Sequence, residues 1–133
     1  MMATRAIAVV DADEVFLELM RKQLGAAGYI VYTFDKPESA YALLHDKPPN
    51  AAIIGLQFPN FQPAVDLATA LKLHRATRGL PVILTSDDAP LLHQYAERLR
   101  GAREVWALPK PLDPTISLRI LARALGPLER EAS

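Results

Sequence analysis

Asp11 closes the apolar run Ala6–Val10, with Asp13 two residues on. Thr85-Ser86 close a second run that begins at Leu80, and Lys110-Pro111 follow a third, Val105 to Leu108. Acids, hydroxyls and an ammonium at the ends of separate apolar runs are the groups that handle phosphate. Carboxylates hold a divalent cation, while a hydroxyl and a lysine contact the phosphoryl oxygens. At the end of a fourth run, Ala51-Ala52-Ile53-Ile54, stands Gly55, which has no side chain. The frame of a phosphate-handling site is present without its central carboxylate.

The elements that must position these residues follow from the hydrophobic pattern. After the strand at Ala6 to Val10, the segment Glu14 to Ala27 repeats Phe16, Met20, Leu24 and Ala27 at helical spacing. Gly28 stands where a helix ends, and Tyr29 to Phe34 is rich in β-branched and aromatic residues. Pro37 to His45 reads as a helix stopped by Pro48-Pro49. Ala51 to Leu56 shows no polar alternation, the pattern of a central parallel strand covered on both faces. A loop from Gln57 to Gln62 precedes a helix opened by Pro63 and running to about Arg75. Leu80 to Leu84 predicts a strand, Pro90 to Arg100 a helix, Val105 to Leu108 a strand and Asp113 to Leu125 a last helix with Ile116, Ile120 and Leu121 on one face. Residues 1–126 are expected to form one domain and 127–133 a polar tail. Alternating strands and helices imply an α/β fold, a doubly wound parallel sheet whose sites lie beyond the carboxyl ends of its strands.

Composition narrows the function classes. The chain has 133 residues, with 15 basic and 15 acidic side chains in balance, which argues against direct, charge-driven binding to nucleic acid or to a membrane. With no cysteine, thiolate catalysis, disulfides and cysteine zinc sites are excluded, and a cytoplasmic location is the expectation. No apolar stretch approaches the roughly 18 residues of a membrane span. His45, His74 and His93 have no acidic or cysteine partners at ligand spacing, so no metal site and no cofactor is expected. Arg75, Arg78, Arg98, Arg100 and Arg103 make two loosely basic regions that read as solvated faces.

Taken in order, Val-Val-Asp-x-Asp at 9–13, Gly28-Tyr29, Phe58-Pro59, Pro-Val-Ile-Leu-Thr-Ser at 81–86 and Leu-Pro-Lys-Pro-Leu at 108–112 resemble the receiver domain of bacterial response regulators. The resemblance covers about residues 5 to 125. It implies a flavodoxin-like (βα)5 fold with sheet order 2-1-3-4-5, and self-phosphorylation of an aspartate ending the third strand, assisted by magnesium. Asp11 matches the first acid, Ser86 the hydroxyl and Lys110 the lysine; with Asp13 they would make up a vestigial phosphorylation pocket.

Two positions depart from that pattern. Ala12 replaces the second of the adjacent acids, a degenerate metal-ligand position, and Gly55 replaces the phosphoacceptor. Three acids and one lysine would leave a pocket of about minus two; Asp11 against Lys110 leaves about zero, or about minus one if Asp13 points inward, so no metal is expected and Asp11 and Lys110 can pair directly. Pro63 stands where a glycine often follows the acceptor loop. The segment Gly101 to Lys110 is two residues longer than usual, and Ala107 occupies the place of an aromatic switch residue, with Trp106 facing the opposite side of the strand. Asp13 and Asp11 have a second reading as caps of the first helix, and Ser86 as part of a turn.

The resemblance therefore implies a receiver that has lost its chemistry: no catalytic residue, no cofactor, and a role as a protein-interaction module of two-component signalling. Its partners would be a histidine kinase, another receiver or an output domain, with homodimerisation through the face from Pro90 to Leu125. Two alternatives are a phosphoacceptor that uses Asp11 or Asp13, and a small-ligand sensor that uses an emptied pocket beside Gly55.

Overall fold

The computed structural model describes residues 5–57 and 62–126, without the side chains of residues 43–45. Phe58-Pro59 and the expected tail at 127–133 lie outside the described residues. Five strands, β1 (Ala6–Val10), β2 (Ile30–Phe34), β3 (Ala51–Gly55), β4 (Val82–Ser86) and β5 (Val105–Pro109), alternate with five helices: α1 (Glu14–Ala26), α2 (Pro37–Asp46), α3 (Gln62–Leu73), α4 (Ala89–Arg98) and α5 (Pro114–Leu125). The sheet is parallel throughout and ordered β2-β1-β3-β4-β5, the flavodoxin-like arrangement expected from the sequence.

Side chains alternate across the sheet and build two cores. Ala8, Val10, Ala52, Ile54, Val82 and Leu84 face α2, α3 and α4, while Ile7, Val9, Ala51, Ile53 and Ile83 face α1 and α5. The three central strands are apolar on both sides because both sides are covered. The edge strands are half exposed. Trp106 and Leu108 pack beside Leu118 and Leu121 of α5, leaving Ala107 exposed on the other side. Asp13, Asp88 and Asp113 cap α1, α4 and α5, each carboxylate accepting from a backbone N–H of the first turn.

Several boundaries differ from the sequence reading by one or two residues, and side-chain chemistry explains two of them. Pro81 has no N–H to donate, so the β4 ladder begins at Val82 and carries Ser86 as its final residue. Helix α3 stops at Leu73, short of Arg75, because the buried Thr77 hydroxyl donates to Leu71 O at 2.7 Å and the Thr77 and Arg78 N–H groups turn back to His74 O.

At the opposite end of the sheet from Asp11, a buried lysine ties three segments together. Lys72 Nζ, on α3, donates to Leu80 O and Arg103 O at 2.6 Å and to Arg78 O at 3.2 Å. This accounts for all three ammonium protons and holds the α4–β5 connection, including Glu104 at φ +62°, against the start of β4. Burial pushes the Lys72 pKa below its ordinary value, partly offset by Glu104. Lys72→Met would leave three carbonyls without donors, each unsatisfied group costing about 1–3 kcal/mol where water cannot reach it. Urea unfolding should show Lys72→Met less stable by about 2–4 kcal/mol, while exposed Lys47→Met stays within about 0.5 kcal/mol of the parent. Equal midpoints for the two variants would remove Lys72 from this role.

Candidate functional site

The site is built from the carboxyl ends of β1, β3, β4 and β5. In the ladder, Val10 lies opposite Ile54, Gly55 opposite Thr85 and Ser86 opposite Pro109, so four strand ends are level with one another. The backbone continues this alignment: Asp11 N donates to Phe34 O, Leu56 N to Thr85 O and Lys110 N to Ser86 O, all at 2.9–3.0 Å. Residues distant in sequence therefore meet at one edge without any contribution from their side chains.

The Asp11 side chain turns inward and is 1% exposed as a residue. Its Oδ1 accepts from Asp13 N at 2.9 Å, and its Oδ2 stands 2.9 Å from Lys110 Nζ. The second contact is an ion pair that does not lie along a hydrogen-bonding direction, since among the described residues no donor is aligned on Oδ2. Lys110 reaches the carboxylate across the ring of Phe16, whose centroid is 4.3 Å from Nζ, so the ammonium is stabilised on two sides. The Lys110-Pro111 peptide is cis.

Gly55 makes this pair possible. A Cβ at position 55 would fall 2.1 Å from Asp11 Oδ2 and 2.8 Å from Asp11 Cγ, well inside contact distance. The requirement is space rather than backbone conformation, because Gly55 does not have a positive φ. The Asp11 carboxylate fills the volume into which a residue ending β3 would project. Among the described residues, the space directly over Gly55 is therefore taken by the chain's own carboxylate.

The remaining sequence candidates separate. Asp13 is exposed, and its Oδ1 accepts from Val15 N at 2.9 Å and Phe16 N at 3.3 Å, so it serves α1 and does not face Lys110. Ala12 is exposed. Ser86 is fully buried, and its Oγ accepts from Asp88 N at 3.0 Å in the turn leading to α4. Thr85 Oγ1, buried beside Gly55 in the ladder, has no hydrogen-bond partner among the described residues. Sequence reasoning gave Phe16 no part in the site, and it named Thr85 only together with Ser86 as one of two hydroxyls closing a run. Phe16 was visible only as one member of an apolar helical stripe, and Thr85 only as the residue before the hydroxyl that matched.

The residues present do not fit a divalent cation. One inward carboxylate is neutralised by a lysine at contact distance, whereas magnesium is held by one or more free carboxylates. Among the described residues, no three acidic, histidine or cysteine side chains gather where they could hold a metal.

No family model matches the chain. Two curated relatives do: a candidate two-component response regulator, ARR21, of Arabidopsis thaliana, 27% identical over 121 residues, and the phosphate regulon transcriptional regulatory protein PhoB of Pseudomonas aeruginosa, 24% identical over 132 residues. The matches take in 90% and 98% of this chain but only 19% and 57% of those proteins, so the chain spans a fraction of each. Among solved structures, the Vibrio cholerae chemotaxis protein CheY4 superposes with a TM-score of 0.78 at 20% identity, covering 92% of this chain and 99% of that one. A CheY-like receiver domain of Methanospirillum hungatei gives a TM-score of 0.77 at 21% identity, covering 92% and 94%. The fold is thus the CheY-like receiver fold, and the curated relatives support a receiver domain of two-component response regulators.

Geometry makes Gly55 and the buried pair one unit. Gly55→Ala should cost about 1–3 kcal/mol through overpacking, while Gly25→Ala, in α1 with nothing within 4 Å of a new Cβ, should be neutral or gain about 0.4–1 kcal/mol. In a double-mutant cycle, Asp11→Ala and Lys110→Met should couple by about 0.5–3 kcal/mol in the parent and by markedly less in the Gly55→Ala background. Chemical denaturation measures both; additive effects in the parent would show that the two side chains act separately.

Proposed function

We propose that this chain is a phosphorylation-independent receiver, a pseudo-receiver that acts through protein contacts in two-component signalling. The observation that carries this reading is the Asp11 carboxylate seated in the acceptor's volume and paired with Lys110. Phosphoryl transfer in this fold needs a carboxylate nucleophile at position 55 and a cation to neutralise charge on the transferring group. Gly55 supplies no nucleophile, and the pair leaves no anionic site to retain the cation. Asp11, Asp13, Ser86 and Lys110 then hold the strand-end loops in one arrangement. A side chain restored at position 55 would first have to expel the Asp11 carboxylate.

The partners that fit this reading are a histidine kinase, another receiver or an output domain, met in the cytoplasm. The face from α4 through β5 to α5 suits such a contact or a homodimer: Ala107 is exposed at its centre where an aromatic side chain is common in active receivers, and Ile116 of α5 is 44% exposed. With alanine at that position, the surface does not depend on rotation of an aromatic ring. The rival acceptors are poorly placed, because Asp11 is buried in an ion pair and Asp13 is engaged at the N-terminus of α1.

Incubation with acetyl phosphate and magnesium, followed by intact mass, tests the proposal. The chain should show no increase of about 80 Da, the mass of one phosphoryl group on a carboxylate. A stoichiometric increase that disappears in Asp11→Asn or Asp13→Asn would replace the pseudo-receiver with a receiver using a non-standard aspartate.

A further inference from the structure

We propose that the amino-terminal end of the sheet carries a second site, unrelated to the strand-end pair, which binds the phosphate of an organic phosphate such as a nucleotide. A cavity of about 590 Å3 opens there, lined by Lys72, Arg78, Gly79, Arg103 and Glu104 together with Gly101-Ala102. Its volume lies within the roughly 300–1,000 Å3 of small-molecule sites and exceeds what a bare phosphate fills.

Three observations support an anionic occupant. First, Arg78 and Arg103 are exposed, and among the described residues neither guanidinium has an ion-pair or hydrogen-bond partner. A planar guanidinium presents paired donors suited to phosphate oxygens. Second, the chain is neutral as a whole, yet the fold brings three cations and one anion, Glu104, to the cavity wall. The sequence separates Arg78 from Arg103 by a strand and a helix, so their meeting at one cavity is a product of the topology. Third, the loop bearing Arg103 is held by the buried Lys72, and its next residue, Glu104, has a φ of +62°, a conformation that non-glycine residues adopt at a cost. Lys72 spends its protons on carbonyls and so contributes field rather than direct contacts. Gly79 and Gly101 have nothing within 4 Å of a Cβ position, leaving the backbone open to a ligand at two points of the wall.

The test is an amide NMR titration of the 15N-labelled chain at constant ionic strength with ADP, with pyrophosphate and with adenosine. Saturating shifts at Gly79 and at residues 101–104 are expected with ADP and pyrophosphate. Arg78→Ala with Arg103→Ala should weaken both at least tenfold, and an unchanged melting temperature would show that this variant is folded. Tighter binding of ADP than pyrophosphate identifies a nucleotide-like ligand, and equal binding identifies the phosphate groups alone; both support the site. Shifts that grow linearly without saturating, or that persist unchanged in the double variant, would overturn it and leave the arginines as solvated partners of the α3 and α4 carboxyl ends. This result is independent of acetyl phosphate reactivity, since no residue is shared between the two sites.

Discussion

The ion pair between Asp11 and Lys110 is the contact on which the reading of this protein depends. Both side chains are almost entirely removed from water, so neither charge is tolerable without the other. Their meeting requires β1 and β5 to end level with one another across two intervening strands. It also requires the residue at the end of β3 to have no side chain. The glycine and the pair are consequences of one packing constraint.

That constraint links chemistry to architecture. A carboxylate on β3 and the inward carboxylate of Asp11 would occupy the same volume and repel one another, so this arrangement excludes an acceptor sterically and electrostatically. Lys110 is engaged without a phosphoryl group to contact, and Ser86 spends its oxygen on the turn into α4. Under the proposed function, the surface these strand-end loops support would not depend on a phosphorylation cycle. Function then lies with the exposed faces, since a shared fold leaves the role to be decided by the site.

Much of this was legible in the sequence because it is written in patterns of short range. The apolar run Ala51 to Leu56, without alternation, marked a central strand, and the helical spacing of Phe16, Met20 and Leu24 marked α1. The strand order followed from the resemblance to receivers, and the pairing of Asp11 with Lys110 from a charge count. Other features depend on distances between segments remote in sequence, which no local pattern carries. The separate roles of Asp11 and Asp13 turn on which carboxylate rotates inward, a choice set by the space over Gly55. Lys72 reads as one polar residue in a helix, and only the folded chain brings the carbonyls of Arg78, Leu80 and Arg103 to its ammonium. The arginines near positions 78 and 103 read as scattered charge until the crossover connections set them around one cavity.

The central claim is that the strand-end site is already filled by the chain's own carboxylate. Beryllofluoride, which occupies the phosphoryl position on an acceptor carboxylate, probes this directly. With magnesium present, amide resonances of Gly55, Ser86 and Lys110 should be unchanged by beryllofluoride. Saturable shifts at those three residues would show that a phosphoryl mimic enters the site, and would contradict the account.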